Sequence, residues 1–293
     1  MGIGPCAYMS LVEARFHETT AALFDFGAAT SIGAVDTALS LGCGMSGKAL
    51  YEVHQDHGTS VFAKKNLLYR TLKIGPQFDD TTILWLLKKY CGDRTMSETV
   101  KPIYITAYDA RNRRLKVFGP RDKGVPLWYA ARCSMAATTY FSMQERRLCD
   151  GGFTANDPAL VGWAGFVNDV LDGVIPGVSE SDLRAGFKIL ELVTSGTTPD
   201  IGPLSNSWPI WTSLTKVILP SITAGNSNDV EYLLRTISRY LSIFVSEDKL
   251  RLFRVAPETP DWDLAAVENS GSCTGIWTKQ FQLDQDKIKE FLS

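Results

Sequence analysis

Histidine is scarce in this chain: among 293 residues only His17, His54 and His57 occur. None stands where it would serve as the base of a nucleophilic triad. His54 and His57 could share a helix face, yet no acidic third ligand accompanies them at metal-site spacing, so neither a metal nor another cofactor is expected. The six cysteines are scattered, without a C-x-x-C pair. That excludes a zinc motif or disulfide framework and suits reduced thiols in a cytoplasmic protein. An excess of one charge is also missing, with 30 basic against 32 acidic residues and a formal net charge of -2. Without a basic surplus, nucleic acid is excluded as a main partner, and the run Arg111-Asn112-Arg113-Arg114 reads as a solvated hairpin tip. No apolar stretch approaches the roughly 20 residues of a spanning helix. The first residues, Met1 to Cys6, lack the basic start and apolar run of a signal peptide. Membrane contact, if any, is then peripheral.

What is present is an ordinary globular composition, 45% hydrophobic and 21% charged, enough to bury a substantial core. Helical spacing appears at Ile83, Leu86, Leu87 and Tyr90 and at Val230, Leu233, Leu234, Ile237 and Leu241. Strand-like runs are Leu23 to Phe26, Ile103 to Tyr108 and Ile189 to Val193. Asp157-Pro158 predicts a helix from Pro158 to about Leu171. The alternation predicts an α/β fold with a mostly parallel sheet covered on both faces. The turn-rich stretch from Ser195 to Pro209 reads as a loop or lid, without the charge shift of a domain boundary. One domain over 1–293 is expected.

Two constellations carry chemistry. Ala29-Thr30-Ser31-Ile32-Gly33 lies between a strand-like run and the helically spaced Ala34, Val35, Ala38 and Leu39. A nucleophile elbow needs that context: a serine in a tight turn, small flanking residues, and a helix start, here Ile32 and Gly33, whose N–H groups face a developing oxyanion. Alone, the pattern is more often a plain strand-to-helix turn. The second is Cys149-Asp150-Gly151-Gly152, followed by Asn156, Asp157 and Pro158. A carboxylate before two glycines can approach another loop closely enough to act as a base, although by itself Asp-Gly-Gly is usually a turn.

Together these residues resemble the patatin-like phospholipase family over nearly the whole chain. The family's elbow, Phe-Asp-x-x-x-Gly-Thr-Ser-x-Gly-Gly, is matched at Phe24, Asp25, Thr30, Ser31 and Gly33, with Ala29 and Ala34 in place of glycines. Its Ala-Arg-Ala-Thr-Ser-Ala-Ala-Pro-Thr-Tyr-Phe block is similar to Ala131 through Phe141. Its Asp-Gly-Gly and Asn-x-Pro are matched by Asp150, Gly151, Gly152, Asn156 and Pro158. Softer likenesses are Ile105 to Asp109 and Val193 to Thr198. The resemblance implies a three-layer α/β/α fold, with family motifs concentrated in 2–200 and 201–293 a C-terminal helical extension. It implies a lipid acyl hydrolase in which Ser31 attacks an ester carbonyl and Asp150 takes its proton, without metal. Gly151, Gly152 and Arg132 would support the site, and the partner would be a lipid or other acyl ester.

One departure stands out. The family's first strand, which leads into a glycine-rich oxyanion loop, has no counterpart in this sequence. The best alignment sets Gly2, Ile3 and Gly4 on the three glycines, Pro5 on the variable position, Cys6 in place of the arginine and Ala7 on the last glycine. Pro5 has no N–H to donate, and losing an oxyanion donor typically costs about 100 to 1,000-fold in rate. Two explanations stay open: a truncated start, or a catalytically impaired relative that acts by lipid binding or protein interaction.

Rival readings are weaker. Gly42 to Ala49 fits the phosphate-loop pattern G-x-x-x-x-G-K, but Ala49 offers no hydroxyl for magnesium and the preceding residues have helical spacing. In the family reading, Gly42 or Gly44 simply stops the elbow helix. Cys133 and Cys149 read as buried structural thiols. Arg132 pairs with a core carboxylate more often than with a lipid phosphate, and the apolar stretch from Trp208 to Leu219 reads as a helix face rather than a lipid cleft.

Overall fold

Ile103–Asp109 is a near-continuous apolar and β-branched run, and it forms the central strand β2, buried on both faces. The computed structural model describes residues 2–63, 75–138, 140–193, 219–244, 250–259 and 269–293. One edge of β2 carries β3 (Arg114–Phe118), antiparallel, with Ile105 opposite Phe118. The tip between them is the basic run, turned by the Asp109 carboxylate, which accepts the N–H groups of Arg111 and Asn112. The other edge holds two short strands end to end. β1 (Gly27–Ala29) runs parallel, pairing Ala29 with Ile105, and β4 (Leu148–Asp150) runs antiparallel, pairing Asp150 with Ala107.

A second pair of strands, β5 (Phe187–Leu192) and β6 (Leu250–Val255), is parallel. The architecture is thus α/β, as the alternation of elements predicts, but the sheet around β2 is mixed where a mostly parallel one is expected, because β3 and β4 both run antiparallel to β2. β6 also makes the C-terminal segment more than a helical extension. Among the described residues β1 pairs only with β2 and β5 only with β6, so each keeps one open edge.

Helices cover both faces of β2 in step with its period of two. Tyr104 packs toward α7 (Ala159–Leu171), where Phe166 and Val170 are buried. Ile103, Ile105 and Ala107 face the opposite core, with Leu127, Ala130 and Ala131 of α6 (Leu127–Ser134). The same core takes Ile83, Leu86 and Leu87 from α5 (Thr81–Cys91). α9 (Leu219–Phe244) buries Val230 and Leu234, while Leu233 faces out. α8 (Glu180–Ala185) is a short helix closed by a capping box at Ser179. Tyr8 of α1 (Ile3–Phe16) sets its ring edge-on against Trp277 and Phe281 of α10 (Ser270–Leu292).

The strand expected at Leu23 to Phe26 lies a few residues later. Thr20–Leu23 is a helical turn, α2, anchored where Glu13 accepts both the N–H and the hydroxyl of Thr20. Phe26 stacks on Phe166 instead of alternating in a sheet. Pairing starts at Gly27, whose missing side chain lets Leu41 pass. The stretch 194–218, with the expected lid and Trp208, and the position Thr139 lie outside the described residues. No helix among the described residues is long and apolar enough to cross a membrane.

Candidate active site

β1 ends at Ala29, and the chain turns through Thr30 and Ser31 into α3 (Ile32–Thr37), which continues as one π-helical turn, Ala38–Gly42. Gly44, at φ 77°, ends it. Ser31 itself has φ 56° and ψ -128°, a left-handed conformation that costs a side-chain-bearing residue on the order of 1–3 kcal/mol. Neighbouring contacts hold it there. The Ser31 N–H donates to Ser134 Oγ at 2.8 Å, and Ser134 is wholly buried at the end of α6. Thr30 Oγ1 donates to the Ala155 carbonyl at 2.6 Å and, its one proton spent, accepts from Thr106 Oγ1 at 2.7 Å. The turn is therefore pinned to β2, to α6 and to the loop after Asp150.

Asp150 is the last residue of β4 and leads into a 3-10 turn, Gly151–Phe153. Its Oδ1 accepts the Gly152 N–H at 2.8 Å, and its Oδ2 accepts the Ser31 hydroxyl at 2.5 Å. Burial pushes the carboxyl up to about 6, against the opposing pull of the hydrogen bonds from Ser31 and Gly152. The result is a carboxylate that is ionised at neutral pH and more basic than an exposed one. Gly151 permits the approach: a Cβ there would lie 2.3 Å from Thr106 Oγ1 and 2.6 Å from the Thr106 carbonyl oxygen. A Cβ on Gly33 would meet only the Ala29 methyl, at 4.0 Å. Among the described residues the N–H groups of Ile32 and Gly33 have no backbone acceptor, as the first turn of a helix requires.

Gly2, Ile3 and Gly4 do not form the expected glycine-rich loop. Gly2 has helical angles and caps α1, and Ile3 and Gly4 lie in its first turn. The physical reason is local: Pro5 suits a first helical turn, where no N–H is needed, and Ile3, Tyr8 and Val12 share the α10 core. Gly2 stands against the side chains of Ile32, Asp36 and His54.

Arg132 is not brought to Ser31 and Asp150. Fully buried, it pairs with Asp80 at 2.6 Å, donates to the Ser142 carbonyl and lies over the Phe141 ring. It secures α6, the helix that ends in Ser134. Cys133 and Cys149 are buried, and burial pushes their thiols up to about 12 and about 11, which disfavours thiolate chemistry. The phosphate-loop alternative lacks its strand, because α3 and the π turn precede it. Gly47 opens a further helix, α4 (Gly47–Val61), and Lys48 is exposed on it beside Glu52.

A cavity of about 850 Å³ opens at Ser31 and Gly33. The open edges of β1 and β5 both border it, and Phe24, Phe26, Phe166, Phe187 and Leu190 give it apolar walls. Two groups were not legible beforehand. Ser134 lies within the block Ala131 to Phe141, but nothing in the pattern says that it holds the Ser31 N–H. Cys6, Asp36 and His54 meet behind the turn, with His54 Nε2 2.6 Å from Asp36 Oδ1, while His57 stands edge-on to Trp85.

A family model for patatin-like phospholipase matches residues 7–163, a span that includes both Ser31 and Asp150. Patatin-like protein 2 of Arabidopsis thaliana is 25% identical over 211 residues, 59% of this chain and 51% of that protein. Patatin-like protein 2 of Oryza sativa subsp. indica is 25% identical over 195 residues, 54% and 48% of the two chains. The chain spans about half the length of these curated relatives.

Proposed function

Because the chain belongs to the patatin-like phospholipase family, we propose that it hydrolyses carboxylic esters of lipids through an acyl-enzyme on Ser31, with Asp150 as general base. The observation that carries this reading is the 2.5 Å hydrogen bond from Ser31 Oγ to Asp150 Oδ2, made from a strained turn. Asp150 takes the hydroxyl proton as Ser31 Oγ bonds to the ester carbonyl carbon. The tetrahedral oxyanion lies toward the free N–H groups of Ile32 and Gly33. On collapse the proton passes to the departing alcohol, leaving the acyl group on Ser31. Water then attacks, Asp150 accepts its proton, and the proton returns to Ser31 as the free acid leaves. The apolar walls of the cavity receive the acyl chain.

The reading is tested by fatty-acid release from phospholipid vesicles. Release by the wild-type chain and none by Ser31→Ala supports it; equal release by both sinks it.

Two observations favour a second reading, a catalytically impaired relative acting by lipid binding or protein interaction. Gly2 to Gly4 are helical rather than a donor loop, and β1 and β5, each with one edge unpaired among the described residues, border the cavity. Such edges suit an extended protein segment as well as a lipid chain. This reading predicts binding without release.

A further inference from the structure

We propose that Cys6, Asp36 and His54 form a binding site for one zinc-class divalent cation, which clips α1, α3 and α4 together behind the Ser31 turn. Each helix contributes one ligand, and the Cys6 Sγ, a carboxylate oxygen of Asp36 and a ring nitrogen of His54 lie within 4.8 Å of one another. Zinc sits about 2.3 Å from sulfur and about 2.0–2.2 Å from nitrogen or oxygen. Nε2 and Oδ1, now 2.6 Å apart, would therefore separate by less than about 1 Å to admit the ion.

The remaining chemistry fits. Asp36 Oδ2 is buried with no hydrogen-bond partner, a costly state for a carboxylate oxygen that a cation relieves. A thiolate, a carboxylate and a neutral imidazole carry two negative charges, which a divalent ion cancels within a buried space. The sulfur and nitrogen donors select zinc-class ions over magnesium or calcium, which take oxygen ligands. Gly2 leaves the room: a Cβ there would stand 2.6 Å from Asp36 Oδ2 and 2.9 Å from His54 Cε1. Binding displaces the thiol proton to solvent, and His54 stays a neutral imidazole with its N–H on the ring nitrogen away from the ion. Cys6 and Asp36 also line the cavity of Ser31, which leaves the fourth position to water from that side. The site does not depend on the hydrolase reading.

Cobalt(II) titrated into the metal-stripped full chain tests it. The expected result is one ion per chain with a thiolate-to-cobalt charge-transfer band. Cys6→Ser should abolish the band, and His54→Ala should weaken binding by roughly 100-fold. A folded chain without the band, or a band that persists in Cys6→Ser, overturns the proposal. A measurement on the unsubstituted chain guards against a variant that fails to fold. Zinc should slow alkylation of Cys6, read by peptide mass spectrometry, by about tenfold or more, and an unchanged rate likewise overturns the site.

Discussion

Ser31 Oγ meets Asp150 Oδ2 at 2.5 Å although the two residues are 119 positions apart. A single strand brings them together. β1 runs parallel to β2 and stops with Ala29 opposite Ile105, while β4 runs antiparallel along the same edge and stops with Asp150 opposite Ala107. The two strands therefore point at each other, and their ends converge over Thr106. That residue bonds to Thr30 and leaves room only for glycine at 151.

Asp150→Asn should remove esterase chemistry while making the fold more stable at neutral pH. The folded-state carboxyl is raised to about 6 by burial, above its unfolded value. Its ionisation thus opposes folding as pH rises through 6. The Asn variant should gain about 3 kcal/mol over wild type at pH 8, and that gain should vanish below pH 4. Thermal melts of both proteins across that range check the sign; a variant less stable at pH 8 than at pH 4, relative to wild type, contradicts it.

Ser31→Gly relieves the left-handed φ of 56°. Because any substitution here also removes the hydroxyl that donates to the buried Asp150 carboxylate, the strain is read by comparing two variants: melting should show Ser31→Gly about 1 kcal/mol more stable than Ser31→Ala, with loss of any acyl transfer in both.

Gly151→Ala and Gly33→Ala separate two family glycines by their surroundings. At 151 the new methyl collides with the Thr106 backbone, and a loss of about 3 kcal/mol is expected. At 33 the nearest atom is 4.0 Å away, and stability should remain within about 1 kcal/mol. Urea unfolding of the two variants measures both.

Asp80→Asn leaves the Arg132 guanidinium buried without its carboxylate partner at 2.6 Å. A destabilisation of about 3–5 kcal/mol should follow in chemical denaturation. Because Arg132 secures the helix that ends in Ser134, labelling of Ser31 should also slow.

Local patterns made much of this legible. The periodicities of Ile83 to Tyr90 and Ile103 to Tyr108 map onto α5 and β2, because one apolar face is a property of the segment itself. Asp157-Pro158 marks the start of α7 for the same reason. The run at Leu23 to Phe26 misled, since Phe24 and Phe26 are apolar for packing under α7 and the core and not for pairing. The first turn of α1 hid behind an alignment to glycines, where Pro5 and the α10 core decide the conformation. Ser134, Thr106 and the grouping of Cys6, Asp36 and His54 depend on long-range packing, which spacing in a single sequence does not encode.

The most direct test of the account is labelling of the folded chain by a fluorophosphonate probe as a function of pH, with the modified residue identified by mass spectrometry. The account predicts covalent modification at Ser31, rising through a midpoint near the Asp150 value of about 6 and absent in Ser31→Ala and Asp150→Asn. A folded wild-type chain that remains unlabelled at Ser31 across the whole range would contradict it.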